Sequence, residues 1–70
     1  MMDYYAFVVD WWRMFRDRLM HPPKQDDDAA WSRLIDDAYT LARRYAESPF
    51  VSACCVAAVS EINRRSKGGV

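Results

Sequence analysis

The chain has 70 residues, 51% of them hydrophobic, and its ten Lys/Arg balance ten Asp/Glu. That length holds one domain, read here as 1–70, and a domain so small buries only about 60% of the surface its unfolded chain exposes. Zero net charge lacks the cationic excess that general nucleic-acid binding uses to neutralise phosphates, so no direct DNA binding is expected.

Apolar residues recur with a spacing near 3.6, and no stretch alternates long enough to read as a strand. The pattern predicts an all-α fold, a small three-helix bundle with helices at about 3–20, 28–47 and 49–67. The first helix opens at Asp3, a residue type that caps helix starts. It closes before His21-Pro22-Pro23, because proline cannot donate within a helix and disfavours helix for the residue before it. With Tyr4 at zero degrees, Val8, Phe7, Trp11, Phe15 and Leu19 fall within about 60° of it. Met14 widens this arc on one side; Tyr5, Trp12 and Val9 widen it on the other. The arc spans roughly 220°, about twice what one buried face needs. Asp3, Asp10, Arg13 and Asp17 form the polar face, with Arg16 and Arg18 near its edges.

The second helix begins after Asp26-Asp27-Asp28, whose carboxylates suit the positive end of a helix dipole. Its predicted inner stripe is Trp31, Leu34, Ile35, Ala38, Leu41, Ala42 and Tyr45, opposite Arg33, Asp36, Asp37, Arg43 and Arg44. The third helix is predicted to be capped by Ser48, with Pro49 in the first position, where a missing N–H is tolerated. Its inner face reads Val51, Cys54, Cys55, Ala58, Val59 and Ile62, and its small residues permit close helix approach. Gly68 and Gly69 stop it, and residues 68–70 are expected to fray.

Six of the ten aromatic residues lie between Tyr4 and Phe15. Two slender neighbours cannot cover so wide an apolar arc, and an uncovered apolar patch marks an interface. Tyr, Trp and Arg are the side chains most enriched at binding hot spots. The expected contact surface is therefore Tyr5, Val9, Trp12 and Arg16, with Trp11 and Phe7 beside them. The alternative is that the first helix is the central one, covered on both sides by its own chain. A protein partner is expected, either another protein or a second copy in a homo-oligomer.

Other groupings carry less chemistry. Cys54 and Cys55 are adjacent, point about 100° apart on a helix and cannot readily bond to each other. Free thiols suit a reducing compartment, so a cytoplasmic protein is expected. Catalysis at either cysteine would need a base, and the one histidine, His21, sits in the proline loop. No Cys/His spacing fits a metal, and the Asp26–Asp28 run lacks the spaced oxygens of a calcium loop. Asp36 and Asp37 diverge around their helix and read as solvated surface. No catalytic residues, metal or cofactor are expected, and the chain is read as no enzyme. Asp3, Asp10 and Arg13 break up any leader pattern, and the longest weakly polar run, residues 49–60, is too short to span a membrane. A second possibility joins Arg13 and Arg16 to the neighbouring rings as a nucleotide site, and an oligomer would then sequester a small anionic signal between subunits.

The order of features, Asp10-Trp11-Trp12, a Pro/Asp loop, Trp31-Ser32-Arg33-Leu34-Ile35-Asp36-Asp37-Ala38, Ala42-Arg43-Arg44-Tyr45 and a closing Glu61-Ile62-Asn63-Arg64-Arg65, resembles short helical open reading frames of Firmicutes phages and prophages. The Cys54-Cys55 pair departs from that pattern. The resemblance brings no site residues. It implies a context in which small accessory proteins bind and disable host machinery, including immune systems, so an anti-defence inhibitor is one expectation and a structural phage subunit another.

Overall fold

A computed structural model describes residues 3–68 and contains three helices in chain order: α1 (Tyr4–Met20), α2 (Asp28–Arg44) and α3 (Pro49–Ser66). All three contact one another as a bundle, with no strand among the described residues. The Asp3 side chain accepts from the Ala6 N–H at 3.0 Å and Asp27 accepts from Ala30 at 3.1 Å, so short carboxylates satisfy two otherwise orphaned helix-start donors. Ser48 occupies the corresponding place before α3 but makes no side-chain cap, contrary to the sequence reading; Pro49 at the first position already removes one donor that would need satisfying.

The second helix stops three residues earlier than its periodicity predicts. Ala46 and Glu47 adopt left-handed φ values of 59° and 52°. The Glu47 N–H reaches back to the Ala42 carbonyl at 2.8 Å and the Ala46 N–H to Arg43 at 3.1 Å. These bonds form a Schellman-type closure built without the glycine that usually marks it. Gly68 takes the left-handed conformation beyond α3, at φ 70°. Gly69 and Val70, the rest of the expected frayed tail, lie outside the described residues.

Phe7, Phe15, Leu34, Leu41, Val51 and Ile62 are the largest fully buried side chains, joined in the core by Ala42, Cys55 and Ala58. The element packed most extensively against both others is α3, and α1 and α2 touch each other less. A helix of small side chains is suited to this middle place, because it admits a close neighbour on each flank. The connection between α1 and α2 is tied to the far end of α3. Ser66 Oγ donates to the Pro23 carbonyl, Gln25 Nε2 donates to Ser66 Oγ at 3.0 Å, and Trp31 Nε1 donates to the Lys24 carbonyl at 2.9 Å.

Candidate apolar contact face

The buried stripe of α1 runs through Phe7, Trp11, Met14, Phe15 and Arg18, not symmetrically about Tyr4. Phe7 is 1% exposed and stands edge-on to Tyr45, just past the end of α2, at 5.2 Å and to Phe50 of α3 at 5.7 Å. It therefore leaves the set of expected contact residues and joins the core. Trp11 is half-buried, and its indole N–H donates to the Cys54 carbonyl at 3.0 Å while its ring meets Phe15 at 6.0 Å. That bond spends the polar handle of Trp11 on holding α1 to α3.

The polar residues of α1 explain the rotation. Asp10 accepts from the Tyr45 hydroxyl at 2.6 Å and pairs with Arg44 at 3.4 Å, and Arg18 donates to Asp37 at 2.6 Å. These three links draw the Asp10/Arg18 side of α1 onto α2. The Asp10 carboxyl is held below its ordinary value first by the hydroxyl of Tyr45 and then by Arg44, and the same contact pushes the Tyr45 hydroxyl up. The opposite side of α1 consequently turns outward.

That outward flank is apolar. Tyr5 is 80% exposed, Tyr4 57%, Val8 49% and Trp12 45%. Spacings of three and four residues place Tyr4, Tyr5, Val8 and Trp12 side by side. Val9 is half-buried within the same flank. Arg16 is exposed along it and reaches Asp17 at 3.5 Å. Phe50 of α3, half-exposed, extends the surface by meeting Tyr4 edge-on at 5.5 Å. Of the residues expected from sequence, Tyr5, Val9, Trp12 and Arg16 share this flank, while Phe7 and Trp11 face inward. Tyr4, Val8 and Phe50 complete it; the helical wheel put Tyr4 and Val8 within the apolar arc without giving their direction, because it carries no information on where Asp10 and Arg18 are tethered.

Two other concavities mark the surface. A shallow apolar groove of about 250 Å³ runs between α2 and α3, floored by Ala38, Ala42 and Cys55 and walled by Ile35, Tyr39 and Val56. Ile35, expected in the buried stripe, is partly exposed here because the small side chains of α3 do not reach over it. Burial pushes the Cys55 thiol up, which lowers its thiolate content and its reactivity. The second concavity, about 480 Å³ and open, lies between α1 and α2 among Asp10, Arg13, Asp17, Arg18, Asp37 and Arg44. No aromatic ring lines it; Arg13 opens onto this cleft while Tyr5, Trp12 and Arg16 occupy the other flank of α1, so the rings and arginines do not converge on one pocket within the subunit.

Among the described residues no three His, Cys, Asp or Glu side chains are grouped to hold a metal ion, and no helix is long and apolar enough to cross a membrane. Comparison with known protein families, curated proteins and solved structures finds no match for this chain.

Proposed function

We propose that the chain is a small, non-enzymatic interaction protein whose outer α1 flank docks onto a protein surface. The observation that supports this reading is the continuous exposed row Tyr4, Tyr5, Val8 and Trp12 in a fold whose core is already filled by Phe7 and Phe15. The largest exposed apolar patch on a monomer is often its functional surface, and this row is continued by Phe50 of α3. Rings of this kind act as anchors in a partner's pockets, and Arg16 at the rim sets orientation and encounter rate more than affinity. In its most concrete form the protein is an inhibitor that blocks a host defence component in the cytoplasm by occlusion, a version that rests on the resemblance to short phage reading frames alone.

Immobilised protein exposed to bacterial extract supplemented with its own untagged copy tests the reading. The intact chain is expected to retain a protein, the Tyr5→Glu/Trp12→Glu variant to lose it, and Tyr39→Glu, in the α2/α3 groove, to keep it. Equal retention by all three, or none by any, contradicts the proposal.

A further inference from the structure

The outer flank of α1 has a symmetry in its sequence that its exposure makes usable. The midpoint between Tyr5 and Trp12 falls between Val8 and Val9. With about 100° per residue, Tyr5 and Trp12 lie within about 20° of each other around the helix, and the two valines straddle them on either side. The row therefore reads large, small, large, and reads the same from either end. Two such helices laid antiparallel place the Tyr5 ring of one copy against the Trp12 ring of the other at both ends of the contact. The valines lie around the two-fold axis, where small side chains let helices cross within the usual 8–10 Å. Offset or edge-on ring pairs contribute beyond the area they bury.

The available area fits that arrangement. Tyr4, Tyr5, Trp12 and Phe50 are between 45% and 80% exposed. An aromatic side chain carries about 150–250 Å², so these four leave on the order of 450 Å² in water. Val8 and the stem of Arg16 raise this toward the roughly 600 Å² per partner at the lower bound of specific, stable interfaces. The α2/α3 groove offers only Ile35, Tyr39 and Val56 as large exposed apolar side chains. Charge does not oppose self-pairing either, because the formal net charge of the chain is zero and two copies meet without long-range repulsion.

We infer that the partner of the α1 face is a second copy of this chain, paired antiparallel about a two-fold axis between Val8 and Val9. This rests on the docking reading above and names its occupant; any other protein must then compete with the second copy for Tyr5 and Trp12.

Sedimentation equilibrium of the full chain, run from a few micromolar to a few hundred micromolar, tests it. The expected mass at the upper end is twice the 8.2 kDa of the chain. Trp12→Glu is expected to weaken association by about 30-fold or more, because it removes an aromatic anchor from both ends of the contact, and Tyr39→Glu to leave it unchanged. Circular dichroism checks that each variant is helical, and if Trp12→Glu does not fold, Tyr5→Glu is read in its place because its ring takes little part in the monomer. A monomer at every concentration overturns the inference, as does a folded Trp12→Glu or Tyr5→Glu variant that still pairs like the parent. Those outcomes leave the docking reading to the retention experiment, in which a protein other than the chain itself can still be held.

Discussion

At the scale of single residues, the contact between Asp10 and Tyr45 joins the burial of Phe7 and Phe15 in fixing which way α1 faces. A hydroxyl donating to a carboxylate is a charge-assisted hydrogen bond, stronger than a neutral one, and here it joins α1 to the end of α2 at 2.6 Å. Its linkage to pH has a definite direction. The Asp10 carboxyl is depressed in the folded chain, so its contribution is present above the ordinary carboxylate value and is lost as pH falls through the lowered one. The Tyr45 hydroxyl is raised, so its contribution is present below its ordinary value near 10 and is lost as pH rises through the higher one. Tyr45→Phe removes the hydrogen bond that lowers the Asp10 carboxyl most. An NMR titration of the Asp10 side-chain carboxyl is expected to show it moving up toward the ordinary range in that variant, with Arg44 still holding it partly down. No movement would mean that the hydroxyl does not set the orientation of α1. Neither partner was recognisable in sequence as half of a pair: Asp10 read as polar face and Tyr45 as buried stripe, and only their meeting across 35 residues gives each its role.

At the scale of the elements, the helices themselves were legible because capping and breaking residues act locally. Asp3, the Asp26–Asp28 run, Pro22-Pro23 and Pro49 mark boundaries through the donors they satisfy or lack. The end of α2 was not legible, since nothing in Ala46-Glu47-Ser48 announces a left-handed turn; the turn brings Phe50 back against Tyr4 and Phe7 of α1. A left-handed Ala carries a steric penalty that glycine does not, of roughly 1 kcal/mol. Ala46→Gly is therefore expected to raise stability by about 0.5–1 kcal/mol, measured as a higher midpoint in urea at unchanged slope. A loss of stability would show that the extra freedom glycine gives the unfolded chain outweighs the relief of strain. The inner face of α3, by contrast, largely matched its reading, with Val51, Cys55, Ala58 and Ile62 buried and Cys54 and Val59 half-buried at its edges, because a regular helix between two neighbours presents the stripe its periodicity dictates.

At the scale of the whole molecule, the apolar excess of α1 was visible in composition, but its distribution was not. Both expectations about α1 described part of it: the chain covers Phe7, Phe15 and most of Trp11, and leaves Tyr4, Tyr5, Val8 and Trp12 in water. The first helix is not the central one, since α3 takes that place by virtue of its small side chains. A fold of three helices with so slim a middle element covers one side of α1 and necessarily turns the other outward. On the reading proposed above, the molecule associates through this outer flank. Amide and indole NMR shifts followed on dilution from about 1 mM to about 10 µM test it most directly. Concentration-dependent shifts are expected at Tyr5, Val8, Val9 and the Trp12 indole N–H, with Ile35, Tyr39 and Val56 unchanged. Shifts confined to the α2/α3 groove, or none along α1, would contradict it.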